Sequence, residues 1–130
     1  MTNIPSRRVV LAADDDKDAL DIVNVAVKAL GYIFFGTATG EECASLATRV
    51  HPHVVLLDVN MPGIDGYEVC RRLRGMPHLQ RVPIAFITAN RTTADLMRAK
   101  EVGGNDFILK PFEIVRLQER VRHWAARRIP

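Results

Sequence analysis

Nowhere in this 130-residue chain do apolar residues run for the roughly 20 positions that a membrane-spanning helix needs. The opening Met1-Thr2-Asn3-Ile4-Pro5 also lacks the basic-then-apolar pattern of a secretory signal, so the chain reads as cytoplasmic, with no membrane partner. Cysteine is scarce. Cys43 and Cys70 are too few and too widely spaced for a zinc-finger pattern, and each falls in an apolar helical stripe, which predicts buried free thiols. No internal repeat and no Gly- or Pro-rich tract occurs, which confines any disorder to the ends. The absence of G-x-G-x-x-G after the first strand signal, and of a Walker-A lysine motif, removes the main support for nucleotide binding. The four histidines, His51, His53, His78 and His123, are scattered over loops and a helix end, and read as exposed side chains rather than ligands or phosphoryl acceptors.

The net charge of +3 owes much to Arg116, Arg120, Arg122, Arg127 and Arg128, yet no aromatic residues interleave them and no basic recognition motif appears. Arg116, Arg120 and Arg127 lie opposite the stripe Ile114, Leu117, Val121 and Trp124, so they read as the solvated face of a last helix. Nucleic-acid binding by this domain alone is therefore not expected. With 48% hydrophobic and 25% charged residues, the composition is that of an ordinary soluble globular protein, and the length suits one domain.

What is present is an alternation of strand and helix signals, five times over. Val9–Ala13 reads as a strand. Ala19, Leu20, Ile22, Val23, Val27 and Leu30 follow at helical spacing until Gly31, a left-handed cap candidate. Tyr32–Phe35 reads as a second strand, and Thr39 with Glu42 as the capping box of a helix reaching about Arg49. Val54–Asp58 is a short apolar run of the kind buried on both faces. Asp65 with Glu68 opens a helix that Gly75 and Pro77 break. Ile84–Ile87 makes a fourth strand closing in Thr88-Ala89-Asn90, and Thr92 with Asp95 opens a helix ending near Gly103-Gly104. Phe107–Leu109 and the amphipathic C-terminal helix complete the series. Such alternation predicts a doubly wound α/β fold, a parallel five-stranded sheet with helices on both faces.

Ligands of open α/β sheets bind at the carboxyl ends of the strands. That edge would gather Asp14, Asp15, Asp58, Thr88 and Lys110. Clustered carboxylates repel when ionised, so they must raise a pKa or recruit a cation. Oxygen donors without nearby His or Cys favour Mg²⁺ or Mn²⁺. A carboxylate beside such an ion and a lysine can act as a nucleophile toward phosphorus, which would make Asp58 an acyl phosphate, with Thr88 and Lys110 holding the phosphoryl oxygens.

Asp14-Asp15, the run Leu57-Asp58-Val59-Asn60-Met61-Pro62-Gly63-Ile64-Asp65-Gly66, Ile87-Thr88-Ala89 and Lys110-Pro111-Phe112 together resemble the receiver domain of bacterial two-component response regulators, over about Arg8 to Arg122. The resemblance implies a flavodoxin-like fold of strand order 2-1-3-4-5 and phosphorylation of Asp58 from the phosphohistidine of a sensor histidine kinase or phosphotransfer protein. It implies a metal held by Asp15, Asp58 and the Asn60 backbone carbonyl, with Asp14 acting through water and Asp16 left as a loop residue or helix cap. Thr88, Ala89 and Lys110 would bind the phosphoryl group. Thr88 and Phe107 would carry the switch to the face made by the fourth helix, fifth strand and fifth helix, a possible homodimer surface. Asn60 and Asn90 would tune hydrolysis. Phe107 stands where tyrosine is frequent, and Ala12 and Ala13 are smaller than usual.

One domain over residues 1–130 is expected, its core at about 8–122, with 123–130 a helix end or the start of a linker. The chain would be either a stand-alone receiver or the first part of a longer regulator. It would be no enzyme beyond its own phosphotransfer and dephosphorylation. A phosphorylation-independent interaction module is the alternative. A metal-dependent phosphohydrolase would call for an aspartate where Asn60 stands.

Overall fold

Parallel pairing fixes the architecture. In the computed structural model, which describes residues 7–89 and 92–126, β1 (Val9–Ala13) pairs with β2 (Ile33–Thr37) and β3 (Val54–Asp58). Beyond β3 lie β4 (Ile84–Thr88) and β5 (Asp106–Leu109), giving the order β2-β1-β3-β4-β5. The expected doubly wound, flavodoxin-like sheet of order 2-1-3-4-5 is the observed one.

Five helices cross between the strands: α1 (Lys17–Ala29), α2 (Gly40–Ala47), α3 (Gly66–Arg74), α4 (Thr93–Glu101) and α5 (Ile114–Ala125), with a 3-10 turn at Pro77–Leu79. Strand periodicity splits the core into two layers, because successive side chains point to opposite faces. Leu11, Val55, Leu57, Ile84, Phe86 and Phe107 meet Cys43 of α2, Val69, Cys70 and Leu73 of α3, and Ala99 of α4. Val10, Ala12, Val54, Leu56, Ala85, Ile87 and Ile108 meet α1 and α5 on the other side. Both cysteines are buried free thiols.

The helix starts follow the capping chemistry. Asp16 caps α1 by accepting from the Asp18 and Ala19 amides, Thr39 caps α2, Asp65 caps α3, and Thr92 with Asp95 forms a full capping box on α4. Gly31, at φ +81°, ends α1 in the left-handed region. Helix α2 stops at Ala47, short of Arg49, as the Thr48 hydroxyl donates to the Ser45 carbonyl.

The second strand begins at Ile33, not Tyr32, and runs on to Thr37, because its register is dictated by β1, Val9 opposite Ile33 and Ala13 opposite Thr37. Its edge position leaves Ile33 and Phe35 partly exposed.

Three expectations are corrected. Ile114 is exposed, so the buried stripe of α5 is Leu117, Val121, Trp124 and Ala125. Arg120 is not a free solvated side chain: it pairs with Asp106 at 2.8 Å, donates to the Phe107 carbonyl and lies over the Trp124 ring. His53 and His78 are half-buried and structural. The Val9 amide donates to His53 Nδ1 at 3.0 Å, and His78 Nε2 lies 2.7 Å from the Ala47 carbonyl. Arg127 and Arg128 lie outside the described residues.

Candidate functional site at the carboxyl edge of the sheet

Because β1, β3, β4 and β5 run in one direction, their carboxyl ends deliver Asp14, Asp58, Thr88 and Lys110 to one edge. The backbone stitches these ends together. The Asp14 amide donates to the Thr37 carbonyl, the Val59 amide to the Ile87 carbonyl, and the Lys110 amide to the Thr88 carbonyl, all within 3.1 Å. Asp14, Asp58 and Thr88 are buried. Gly66, at the start of α3, sits so close that a Cβ would come within 2.3 Å of the Asp58 carbonyl oxygen, so α3 begins directly against the strand end.

Lys110 Nζ lies 2.9 Å from Asp14 Oδ2, 3.2 Å from Asp14 Oδ1 and 4.0 Å from Asp58 Oδ2. Asp14 Oδ1 also accepts from the Asp16 amide, and Asp58 Oδ1 from the Asn60 amide at 3.4 Å. Burial, with the charge of Asp14 beside it, pushes the Asp58 carboxyl up to about 7, against the opposing pull of Lys110. Burial pulls the Lys110 ammonium down, but its hydrogen bond and charge contacts with Asp14, and the charge of Asp58, leave it raised.

Asp15 is exposed, yet Asp14, Asp15 and Asp58 each bring a carboxylate oxygen to within 4.8 Å of one another. Asp14 Oδ2 is buried and accepts no well-angled hydrogen bond among the described residues, although the ammonium is near. Three carboxylates facing one ammonium, with an under-used buried oxygen, form a donor set suited to a hard divalent cation. Asp16 gives one carboxylate oxygen to the α1 cap, and its charge adds to the negative field around Lys110.

Ala89 is exposed at the site's rim, Asn60 is exposed beside it, and Asn90 lies outside the described residues. A cavity of about 370 Å³ opens next to Lys110 and Ala89, walled by Ala19, Ile22, Pro111 and Phe112. Phe107 points away from this edge into the α4 side of the core, its ring 5.6 Å from Phe86, which is 5.0 Å from Tyr67.

The sequence singles out Asp14, Asp15, Asp58, Thr88 and Lys110 at the edge, but not Thr37, whose carbonyl holds the Asp14 amide. It missed Tyr67 and Arg98, which join α3 to α4 above the Phe86–Phe107 pair. Tyr67 lies within a quoted motif, but nothing local in the sequence reveals a partner 28 positions on.

The response regulator receiver domain model matches residues 10–122. The chain is 37% identical over 113 residues to the probable transcriptional regulator ycf27 of Porphyridium aerugineum, covering 87% of this chain and 46% of that protein, so it spans about half the length of this relative. Its fold is similar to that of the Vibrio cholerae chemotaxis protein CheY4, with a TM-score of 0.88 and 26% identity over 91% of this chain and 98% of that one. It is similar also to the receiver domain of the sensor histidine kinase PA1611 from Pseudomonas aeruginosa, which carries a magnesium ion coordinated in its active-site cleft. There the TM-score is 0.85 and identity 28%, over 94% of this chain and 100% of that one. A carboxylate-lined edge on a 2-1-3-4-5 sheet and a family match spanning the core lead to one conclusion: the chain belongs to the response regulator receiver domains, the phosphoacceptor modules of two-component signalling.

Proposed function

We propose that Asp58 is the residue that accepts the phosphoryl group, from the phosphohistidine of a sensor histidine kinase or phosphotransfer protein. The observation that carries this reading is the buried Asp58 carboxylate at the end of β3, with Lys110 Nζ 4.0 Å away and two further carboxylates within 4.8 Å. An Asp58 oxygen forms the new bond to phosphorus as the donor's P–N bond breaks, and the departing imidazole takes a proton. Lys110 then pairs with a phosphoryl oxygen, and the Thr88 hydroxyl and Ala89 amide donate to others.

Asp15, Asp58 and the Asn60 carbonyl would hold Mg²⁺, or Mn²⁺ in its place, with Asp14 acting through water. Bound there, the ion would offset the charge that gathers on the equatorial oxygens during transfer. Asp14 keeps Lys110 at the site through its own ion pair. Asn60 and Asn90 would tune how fast the acyl phosphate hydrolyses.

Phosphorylation would reposition Thr88 and Phe107 and so reshape the α4-β5-α5 face. Its α4 and β5 elements carry exposed Leu96, Met97 and Leu109, which suits a partner protein or a second copy of the chain. The domain occupies residues 1–130 with its core at about 8–122 and works in the cytoplasm, binding no nucleic acid by itself. Its only catalysis is its own phosphotransfer and dephosphorylation.

The test is protein mass after incubation with acetyl phosphate, with and without Mg²⁺, for wild type and Asp58→Ala. A single Mg²⁺-dependent phosphoryl adduct lost in the variant is expected. Its absence from wild type would overturn the reading in favour of phosphorylation-independent binding.

A further inference from the structure

The starts of α3 and α4 are tied to each other by side chains that cross in both directions. From α3, the Tyr67 hydroxyl donates to Asp95 Oδ1 at 3.3 Å, and the other Asp95 oxygen accepts from the Thr92 amide and hydroxyl in the α4 capping box. From α4, the Arg98 guanidinium lies 5.0 Å over the Tyr67 ring and 3.8 Å from Asp65, the residue that caps α3. Each helix cap is thus held by the other helix's side chain. Burial and the neighbouring Asp95 push the Tyr67 phenol up to about 12, and the Thr92 bonds hold the Asp95 carboxyl down, so donor and acceptor keep their roles at neutral pH.

The α3 end of this brace is fixed to the site. The Gly66 amide donates to the Val59 carbonyl at 3.1 Å, and Gly66 abuts the Asp58 carbonyl too closely to admit a Cβ. A change at Asp58 that shifts the β3–α3 loop therefore moves the first turn of α3. Tyr67 also packs at a tilt against Phe86, which packs at a tilt against Phe107 in the cluster that includes Ala99 of α4. Two-way bracing of this kind couples the two helix starts, because a shift of either one alone would stretch the Tyr67–Asp95 hydrogen bond and draw Arg98 away from the Tyr67 ring and Asp65.

We propose that Tyr67 and Arg98 form a cross-brace that carries the state of Asp58 from the first turn of α3 to the first turn of α4, a route additional to the β4–α4 connection through Thr88. This rests on Asp58 being the phosphoacceptor. Tyr67 and Arg98 are positioning residues: they touch no reacting atom, and they set how far α4 follows the site.

The test compares wild type with Tyr67→Phe, which keeps the ring on Phe86 and under Arg98 but removes the hydroxyl. Beryllofluoride with Mg²⁺ serves as the phosphoryl mimic, with occupancy read by fluorine resonance and α4 by the amide shifts of Leu96, Met97 and Ala99. At equal occupancy, the variant's α4 displacement is expected to be at least twofold smaller than that of wild type, and Arg98→Met should reduce it in the same sense. Arg98→Met also decides the matter should Tyr67→Phe not fold. Full α4 displacement in the folded variant, or none in occupied wild type, would overturn the cross-brace alone. No beryllofluoride binding to wild type would overturn the phosphoacceptor reading and the brace with it.

Discussion

Replacing Asp58 by asparagine should stabilise this protein at alkaline pH while abolishing its phosphorylation. The reason is the environment of Asp58: it is 6% exposed, close to the Asp14 carboxylate, and its nearest ammonium is 4.0 Å away and engaged with Asp14. The folded pKa near 7, against 3.8 in the unfolded chain, means that folding binds an extra proton between those values. Stability from this group is fully present below pH 3.8, falls as pH rises, and is gone above about 7. A shift of about 3 units corresponds to about 4 kcal/mol. The substituted amide keeps a desolvation cost of about 2 kcal/mol, leaving an expected gain of about 2 kcal/mol at pH 8.

Urea unfolding in a chelating buffer at pH 8 and pH 5 measures this. With a slope of about 2 kcal/mol per molar, the midpoint of Asp58→Asn should rise by about 1 M at pH 8, meet that of wild type at about pH 5.5 and fall slightly below it at pH 5. Saturating Mg²⁺ should narrow the gap at pH 8 by stabilising only wild type. An Asp58→Asn variant no more stable than wild type at pH 8, or one whose gain is the same at both pH values, would refute the picture of a site that trades stability for a reactive carboxylate.

Three more outcomes follow from the same geometry. Arg74 donates to the carbonyls of Gly103, Leu79 and Val82 and to the Asn105 side chain, so Arg74→Met should cost about 3 kcal/mol by urea unfolding. Phosphoryl uptake should persist under folding conditions, and Arg74→Lys should not restore stability, since one ammonium cannot span four oxygens. His53 accepts the Val9 amide only when neutral, and burial, with the charge of Arg8, lowers its pKa below 6.5. Its contribution is present above pH 6.5 and lost as pH falls through the folded pKa, so the stability difference between wild type and His53→Gln should shrink below pH 6; a difference independent of pH would contradict this. Gly66→Ala should cost about 2 to 4 kcal/mol and slow phosphorylation, because its methyl collides with the Asp58 carbonyl; a neutral variant would show that the α3 start can yield.

The legible parts of the fold were those where local pattern and tertiary role agree. Val54–Asp58 was read to the residue because both of its faces are buried and one carboxylate ends it, and the caps at Asp16, Thr39, Asp65 and Thr92 follow from side chains that reach only three residues ahead. The Tyr32–Phe35 reading of β2 starts one residue early and stops two short of Thr37, because the limits of this edge strand come from β1, not from its own sequence. Ile114 was misassigned because its i+3 spacing to Leu117 is right while its place, at the first turn of α5, leaves it exposed.

The same distinction explains why the edge of the sheet was readable and the brace above it was not. Any apolar side chain of about the right size satisfies a core position, so periodicity alone predicts which face turns inward, and a parallel order then brings strand ends together whatever loops intervene. Asp14, Asp58 and Lys110 needed only to be recognised as strand ends. A polar pair needs one particular partner at one distance, and Tyr67 with Asp95, Arg120 with Asp106, or His53 with the Val9 amide are separated by 28, 14 and 44 positions. Nothing in the spacing of such residues marks them, because the helix crossing that makes them meet is itself set by the core beneath. The proposed path from Asp58 through Gly66 and Tyr67 to α4 therefore exists only in the packed structure, while the chemistry it serves is already written at the strand ends.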